Sequence, residues 1–469
     1  MALIKSISGI RGTIGGKPGE TLSPVDIVKF TSAYSVILKK NAGGKKVKVV
    51  IGRDGRMSGA MVSSLVSQTL CAMGIDVVDL GLSTTPTVEI AVPMEKADGG
   101  IILTASHNPR EWNALKLLNE KGEFISAALG QELLQIAEAE DFEYVSVDKI
   151  GKVTTDDSYL QKHIDAILQY PLVNKETIAK KNFKVVVDAI NSTGAIFVPA
   201  LLKALGVNDI IVLNEKVSGD FAHNPEPLPY HLRDLSNTVV REKADLGIAV
   251  DPDVDRLCFV NEDGSMFGEE YTLVAVADYI LSYHKSQPEG KAGNTVSNMS
   301  STKALKELTL KHGGEYFPSA VGEVNVVNKM KEKNAAIGGE GNGGIIVPDF
   351  HYGRDALIGI ALFLTHLANQ KSKSIKQLRN KYPEYFISKN KIELSPETNL
   401  KSIYEKIKKK YKKQPINDED GLKIEFDEDW VHLRPSNTEP IIRIYSESDF
   451  EFKANNIAQR LMQDINEAK

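Results

Sequence analysis

The feature that most constrains this chain is a repeated alternation of short, β-branched strands with helices of helical apolar period. Residues 46–51 predict a strand, residues 60–73 a helix closed by a glycine, and residues 99–103 a further strand. Strands and helices in this order, with short connections, predict a parallel α/β sheet. The same order returns within residues 184–250 and 272–337, so the repeat is architectural.

Each round of this pattern ends in a strand that runs into an unusual polar loop. The three loops read TASHNP at residues 104–109, DPDVDR at 251–256 and GEGNGG at 339–344. In open α/β sheets, ligands bind beyond the carboxyl ends of the strands. We therefore expect the three loops to meet in one shared cleft.

The composition changes beyond residue 370, where a strongly basic stretch precedes three short strands. The lysine run within residues 371–413 is a candidate nucleic-acid contact. Ile403 and Ile407 at helical spacing favour a solvated amphipathic helix instead. This region is therefore predicted to be a smaller α+β domain.

Together these patterns predict an α/β protein of four domains around one central cleft. Three tandem, similar α/β domains with mixed sheets precede the C-terminal α+β domain. The predicted boundaries are residues 1–152, 153–258, 259–370 and 371–469.

The composition excludes several classes of protein. The 57 Lys and Arg residues nearly balance the 62 Asp and Glu residues, so the net charge of -5 gives no attraction to nucleic acid or an anionic membrane. No apolar run approaches the ~20 residues of a membrane span, and the first residues lack a signal peptide's apolar stretch. Cys71 and Cys258 are predicted to be buried free thiols. We expect a cytoplasmic protein with no nucleic-acid or membrane partner.

The first loop presents a serine, Ser106, on a turn after an apolar strand. A neutral hydroxyl is a poor nucleophile, and no GxSxG elbow surrounds it, so an acyl-transfer triad is unsupported. The local sequence alone favours a helix N-cap at this turn.

The second loop alternates three aspartates, Asp251, Asp253 and Asp255, after an apolar strand. Carboxylates this close repel one another unless a cation lies among them, and oxygen ligands without His or Cys indicate Mg²⁺. An EF-hand fails because Arg256 occupies the position that requires glycine. A haloacid-dehalogenase-type aspartyl nucleophile leaves Asp255 and Ser106 without roles, and an acidic turn without function is the remaining alternative.

The third and fourth loops predict contacts to a phosphorylated, hydroxyl-rich ligand. GEGNGG satisfies the dinucleotide fingerprint, but a β-branched strand follows where that fingerprint requires a helix. A flexible loop presenting Glu340 and Asn342 to sugar hydroxyls, or a plain glycine turn, remains. Residues 434–440, RPSNTEP, with Arg443 combine two guanidinium groups with hydroxyl and amide donors, which suits a phosphate; the alternative is a structural turn.

In this order the four loops resemble the α-D-phosphohexomutase family over essentially the whole chain. The segments SGIRG at residues 8–12 and GRDGR at 52–56 also fit the family. The chain departs at Ala114, where the family often has glycine. It also departs in the third loop, at residues 342–344, and in the segment 319–324, which lacks the family's lysine. The last two departures resemble archaeal-type members and bear on the substrate.

The resemblance implies that a phosphorylated Ser106 passes its phosphoryl group to a sugar phosphate through a hexose 1,6-bisphosphate. It implies general acid and base roles for Arg11 and Lys116, with His107 as a further catalytic residue. To accept a proton, Lys116 would need a depressed pKa, which neighbouring guanidinium charge and partial burial would supply. One Mg²⁺ would be held by Ser106, Asp251, Asp253 and Asp255. The implied substrate-binding residues are Arg256, Glu340, Asn342, Arg434, Ser436, Asn437, Thr438 and Arg443.

The preferred substrate is predicted to be glucosamine phosphate, with glucose or mannose phosphate as the alternative, in a monomer or a homodimer. Two other classes stay open: a magnesium-dependent phosphatase with an aspartyl nucleophile, and a non-catalytic sensor of phosphosugars.

Overall fold

The computed structural model of this chain describes residues 3–6, 9–287, 290, 292–395, 398–435 and 441–468. The chain divides into two units. The first comprises Met1–Ile280 and Asn342–Arg379, and the second comprises Leu281–Gly341 and Asn380–Lys469.

The first unit opens with a seven-stranded sheet in the order β1-β2-β6-β5-β3-β4-β7. Its elements are β1 (Leu3–Ser6), β2 (Gly9–Thr13), α1 (Pro24–Ala42), β3 (Lys48–Arg53), α2 (Gly59–Ala72), β4 (Asp76–Leu82), α3 (Thr85–Met94), β5 (Gly99–Leu103), β6 (Trp112–Leu118), α4 (Ala127–Ala139) and β7 (Val153–Thr155). Strands β3, β4, β5 and β7 are parallel, whereas β6, β2 and β1 pair antiparallel. The parallel sheet expected from the local pattern is thus mixed, because β6 returns beside β5 through a loop without a crossover helix.

A four-stranded sheet in the order β11-β10-β8-β9 follows in the same unit. The elements here are α5 (Tyr159–Gln169), α6 (Lys175–Lys180), β8 (Lys184–Asp188), α7 (Gly194–Ala204), β9 (Asp209–Leu213), α8 (Arg233–Glu242), β10 (Leu246–Val250) and β11 (Leu257–Asn261). Helix α9 (Glu269–Ser286) begins in this unit, and its last residues, from Leu281, belong to the second. Strands β9, β8 and β10 are parallel, and β11 pairs antiparallel with β10.

The second unit contains the parallel strands β13-β12-β14, in that spatial order. They belong to the series β12 (Asn294–Asn298), α10 (Ala304–Lys311), β13 (Tyr316–Ser319), α11 (Glu323–Lys333) and β14 (Ala335–Glu340). The chain then contributes β15 (Gly344–Ile346), α12 (Ala356–Ala368) and α13 (Ile375–Arg379) to the first unit. Every residue of α12 is buried, as expected for a helix that is apolar on all sides.

The C-terminal part of the second unit is an antiparallel sheet in the order β16-β20-β19-β18-β17. Its elements are β16 (Phe386–Glu393), α14 (Leu400–Lys410), β17 (Ile416–Asn417), β18 (Leu422–Glu425), β19 (Trp430–Pro435), β20 (Ile441–Ser448) and α15 (Glu451–Ala468). Ile403 and Ile407 of α14 are both buried in this part's core. The lysine-rich helix is therefore amphipathic, as predicted.

Other expectations from the sequence can be compared directly with this fold. Cys71 and Cys258 are free and buried, as predicted. Among the residues that the structure describes, no helix combines the length and apolar character needed to cross a membrane. The residue boundaries of the four predicted domains stay a prediction.

Candidate active site

Ser106 lies in the loop between β5 and β6, and its backbone is left-handed, with φ of 49°. Its amide donates to the Thr104 hydroxyl at 2.9 Å, and its own hydroxyl donates to Asp251 Oδ2 at 2.6 Å. A strand, β6, follows this loop. The N-cap interpretation favoured by the local sequence is therefore wrong, because no helix begins here.

A buried arginine, Arg56, holds the Ser106 loop through its backbone. Its guanidinium donates to the carbonyl oxygens of Ser106 at 2.5 Å and Asn108 at 2.7 Å, and to those of Pro109 and Trp112 at 2.8 Å each. Such charge-assisted hydrogen bonds are stronger than neutral ones. The loop is thus fixed whatever side chains its exposed residues carry.

Asp54 completes this arrangement from the end of β3. Its carboxylate accepts from Arg56 Nε at 3.1 Å and from the Thr104 hydroxyl at 2.6 Å. Because Asp54 is buried, its pKa is raised, although Arg56 acts in the opposite direction. The GRDGR segment therefore serves as the anchor of the serine loop.

The aspartate loop between β10 and β11 is held by two separate segments of the first unit. The hydroxyl groups of Ser192 and Thr193 donate to the Pro252 carbonyl at 2.6 and 3.0 Å. The Ala356 amide donates to the carbonyl of Val254, a β-branched residue with φ of 61°. These bonds stabilise a backbone conformation that valine by itself disfavours.

Asp251 has one oxygen held by the protein and one that faces Ser106. Its Oδ1 accepts from the backbone amides of Asp255 and Arg256, each at 3.1 Å, and its Oδ2 accepts from the Ser106 hydroxyl. Burial raises the pKa of Asp251 well above its ordinary value, and the neighbouring aspartates raise it further.

In Asp253 and Asp255, too, the two carboxylate oxygens differ in their surroundings. Asp253 Oδ2 accepts from the Thr85 hydroxyl at 2.6 Å and from Lys116 Nζ at 2.7 Å. Asp255 Oδ2 accepts from Arg354 Nη2 at 2.7 Å and from Lys116 Nζ at 3.3 Å. The Oδ1 atom of each carboxylate is buried without a hydrogen-bond partner among the described residues.

This donor set fits a small, hard divalent cation. One ligand atom from each of Asp251, Asp253 and Asp255 lies within 4.8 Å of the other two. Buried carboxylate oxygens left without partners are costly unless a cation joins them, and carboxylate ligands are those that Mg²⁺ takes. Residues Leu257–Asn261 form β11 directly after the loop, which excludes an EF-hand here.

Lys116 lies on β6 with its ammonium group between two of the aspartates. Burial lowers its pKa, but Asp253 and Asp255 act more strongly, so the net pKa is raised. The expectation of a depressed pKa is therefore wrong for this arrangement. It rested on guanidinium charge and partial burial, and burial and Arg354 do lower the pKa, but the carboxylates of Asp253 and Asp255 together outweigh them.

Three further basic groups surround the serine. Burial and the charges of Arg256 and Arg11 lower the pKa of His107 well below its usual range, so its imidazole is neutral. His107 Nδ1 and Arg256 Nε are buried without a hydrogen-bond partner in the described part of the chain. Arg11 donates to the Asn108 amide oxygen at 3.1 Å, and its pKa is lowered by burial and by Arg256. A buried guanidinium N–H without a partner, that of Arg256 Nε, suits an anionic group on the serine.

Two buttressing residues of this site, Arg354 and Thr85, were missed by the sequence reasoning. Arg354 follows β15 in the segment HYGRD and contacts Asp255, and Thr85 opens α3 and contacts Asp253. Arg354 lies 99 residues from Asp255 in the sequence, and Thr85 lies 168 residues from Asp253, so no local pattern marks either of them.

The third loop divides between the two units. Glu340 is the last residue of β14, and its Oε1 accepts from Asn298 Nδ2 at 2.9 Å and from the Gly322 amide at 3.1 Å. Asn342 belongs to the first unit and accepts from the Gly344 amide at 3.2 Å. Residues 341–343 form a turn, and Glu340 belongs to a strand. The contacts of Glu340 and Asn342 with sugar hydroxyls stay a prediction.

The fourth loop is partly described. Arg434 and Arg443 stand directly opposite each other on β19 and β20, and Lys391 of β16 stands opposite Arg443 on its other side. Like charges in cross-strand pairs are unfavourable. The carboxylate of Asp420, 2.8 Å from Arg434 Nε, opposes the charge of Arg434. The predicted contacts Ser436, Asn437 and Thr438, like Ser8 near the N-terminus, lie outside the described residues.

Comparisons with known proteins agree along the chain. Models of the phosphoglucomutase/phosphomannomutase alpha/beta/alpha domains I, II and III match residues 3–144, 161–264 and 269–385, and the C-terminal domain model of that family matches 394–463.

Individual relatives span nearly the full length. A phosphoglucomutase/phosphomannomutase of Thermococcus kodakarensis is 35% identical over 94% of this chain and 95% of its own. A probable phosphoglucosamine mutase of Methanopyrus kandleri is 33% identical over 98% of both. The crystal structure of a phosphoglucomutase/phosphomannomutase family protein of Burkholderia thailandensis has a TM-score of 0.84 at 26% identity, covering 99% of this chain and 97% of that one.

The order of the four loops and the matches over all four domains lead to one conclusion. This chain belongs to the phosphoglucomutase/phosphomannomutase family, the α-D-phosphohexomutases, and is an isomerase of that family.

Proposed function

We propose that this enzyme interconverts glucosamine 6-phosphate and glucosamine 1-phosphate through phosphorylated Ser106 and glucosamine 1,6-bisphosphate. The observation that carries the proposal is the Ser106 hydroxyl, 2.6 Å from Asp251 at the edge of the three-aspartate cluster. In this position a phosphoryl group on the Ser106 hydroxyl oxygen would lie within reach of both a bound cation and several basic side chains.

One Mg²⁺ per chain would be held by Asp251, Asp253 and Asp255 together with Ser106. When bound, it would neutralise charge that develops on the transferred group. The chain's own cations supply further stabilisation, since Arg11 and Arg256 carry charge near the serine.

Transfer to the sugar breaks the bond between Ser106 Oγ and phosphorus and forms a bond from phosphorus to a sugar hydroxyl oxygen. The serine oxygen then takes up a proton while the sugar hydroxyl loses one. Lys116 is held as an ammonium group, so we assign it to donate the proton. We assign neutral His107 to accept the other, and Arg11, which contacts the serine loop through Asn108, to stabilise negative charge there.

The phosphate that does not react is assigned to Arg434 and Arg443. Two guanidinium groups that stand directly opposite each other repel while no anion lies between them, and both can bind the same dianion. Ser436, Asn437 and Thr438 are proposed as further contacts from the sequence alone. After the bisphosphate forms, it must turn over so that its other phosphate returns to Ser106.

Glu340 and Asn342 are proposed to contact the sugar hydroxyls. The preference for glucosamine is supported by names among the relatives, one of which is a probable phosphoglucosamine mutase while another is a phosphoglucomutase/phosphomannomutase. Free hexose 1,6-bisphosphate serves as activator, since it phosphorylates Ser106. The cytoplasmic location and a monomer or homodimer stay predictions.

The test is to incubate the purified phosphoenzyme with the 6-phosphates of glucosamine, glucose and mannose and compare kcat/KM. We expect turnover of all three to depend on Ser106 and glucosamine 6-phosphate to give the highest kcat/KM. A higher kcat/KM for another sugar would reassign the substrate. Release of inorganic phosphate without isomerisation would indicate a phosphatase, and binding without turnover would indicate a sensor.

A further inference from the structure

Arg354 contacts the aspartate cluster from a segment that none of the four loop motifs contains. Its Nη2 lies 2.7 Å from Asp255 Oδ2, and both residues are buried. A carboxylate that has one oxygen fixed by a guanidinium can rotate little about its own axis. The other oxygen, Asp255 Oδ1, then keeps one direction.

We propose that Arg354 is a positioning residue of the metal centre, which holds Asp255 so that its second oxygen is presented to the cation. This inference rests on the proposed function only in treating the three aspartates as metal ligands. It assigns Arg354 no contact with the sugar phosphate.

The backbone around Arg354 is fixed more firmly than a surface loop would be. Arg354 forms an antiparallel bridge with Ile346 of β15. The next amide, that of Asp355, donates to the Ile345 carbonyl at 2.9 Å, and the amide of Ala356 donates to the Val254 carbonyl at 3.2 Å. The segment is therefore bonded both to a strand and to the aspartate loop itself.

The carboxylate of Asp355 secures the same segment from its other side. Its Oδ2 accepts from His163 Nε2 at 3.0 Å and from His351 Nε2 at 3.2 Å, and its Oδ1 accepts from the Leu357 amide at 2.7 Å at the start of α12. Asp355 and His163 are fully buried. A residue between such an anchor and β15 has little freedom to move, which suits a positioning role.

Gly344 of the third loop leaves room for the side chain of Arg354. A Cβ on Gly344 would lie 2.4 Å from Arg354 Cδ, far closer than any ordinary contact. A methyl group there must displace the arginine stem. Gly344→Ala therefore disturbs the position of Arg354 while leaving its charge in place.

The test uses the full chain in its dephosphorylated form and measures binding of Mn²⁺, as a paramagnetic substitute for Mg²⁺, by the loss of its free EPR signal. Loss of residues that orient metal ligands commonly weakens affinity by ~10- to 100-fold. We expect Arg354→Gln to raise the Mn²⁺ Kd at least tenfold, and Arg354→Lys and Gly344→Ala to raise it at least threefold.

Arg379→Lys is the matched control. Arg379 is a part-buried arginine of the same unit. It donates to the Phe267 carbonyl at 3.1 Å and packs on the ring of Tyr271 at 3.3 Å, and neither contact involves the aspartate loop. We expect its Mn²⁺ Kd to stay within twofold of the parent's. In turnover assays, Arg354→Lys should lower kcat and leave KM for the sugar phosphate within twofold.

Several results would overturn the inference. A Mn²⁺ Kd for Arg354→Gln that is lowered or raised less than tenfold would mean that Arg354 only counterbalances charge. A raised KM with unchanged kcat would place it on the substrate instead. If Arg354→Gln fails to fold, the test rests on Arg354→Lys and Gly344→Ala. An increase in the Mn²⁺ Kd of less than threefold in both variants would overturn the inference. Failure of the proposed function is separate, because it shows as absent turnover in the parent chain, whereas Mn²⁺ binding needs no sugar.

Discussion

Substituting Arg56 by lysine is expected to loosen the serine loop without unfolding the chain. The Arg56 guanidinium makes five hydrogen bonds, four to carbonyl oxygens of the loop and one to Asp54. A lysine has three donors, so at least two of these hydrogen bonds are lost. A hydrogen bond to a charged group contributes about 1.5–3 kcal/mol, so the loss is roughly 3 kcal/mol if the loop does not relax.

Amide hydrogen exchange measures this loss locally. The amides of Ser106, Asn108 and Trp112 are all hydrogen-bonded within the loop. A loss of about 3 kcal/mol in the free energy of local opening should speed their exchange by roughly 100-fold. Exchange at α12, which is buried throughout, should be unchanged if the chain stays folded.

Arg53→Lys in the same segment is the control. The Arg53 side chain has one hydrogen bond among the described residues, to the Asp54 carbonyl at 3.2 Å, and the residue is partly exposed. Its exchange rates should match the parent's within a few-fold. If Arg56→Lys left loop exchange unchanged, or if Arg53→Lys accelerated it equally, backbone clamping by Arg56 would be refuted.

Four other substitutions test the remaining assignments. Ser106→Ala should remove nearly all mutase turnover while leaving the thermal midpoint within a few degrees, and retention of more than a few per cent of activity would contradict its role. Asp253→Asn should abolish turnover and weaken Mg²⁺ binding measured by calorimetry, and full activity of the parent in EDTA would argue against a metal mechanism. Arg443→Lys keeps the charge but loses the planar fork, so kcat/KM should fall roughly ten- to a hundredfold while phosphoserine occupancy, measured by mass spectrometry, stays normal. Burial lowers the pKa of His223, but the hydrogen bond to Asp188 at 2.9 Å, the charge of Asp188 and the hydrogen bond to the Asn224 carbonyl together outweigh it, so the net pKa is raised. This pair therefore stabilises the fold fully below pH ~6.5 and less as the pH rises through the raised pKa, so His223→Gln should reduce the loss of thermal stability on going from pH 6 to pH 8.

Much of the framework could be predicted from the sequence because strands between turn residues have a clear local signature. The strand predicted at residues 99–103 coincides with β5, and the helix predicted at residues 60–73 differs from α2 by one residue at each end. The aspartate cluster was also predictable, since its three members alternate within one loop.

The parts that could not be predicted depend on long-range contacts. Strand β6 was missed because two of its buried residues, Asn113 and Lys116, are polar and interrupt the apolar pattern. The sign of the Lys116 pKa shift depends on Asp253, which lies 137 residues away in sequence. The role of Arg56 was invisible for another reason: its partners are backbone carbonyls, which no side-chain motif records.

Recognition of the serine loop through carbonyl oxygens has a consequence for how the loop can vary. Every peptide unit offers a carbonyl, so replacing the exposed side chains of Pro109, Arg110 or Glu111 leaves the grip of Arg56 intact. Inserting or deleting one residue between Ser106 and Trp112 would instead shift several carbonyls away from one guanidinium at once. The arginine contacts therefore constrain the length of this loop. The exposed side chains of the loop can change to suit other ligands or partners while Ser106 keeps its position.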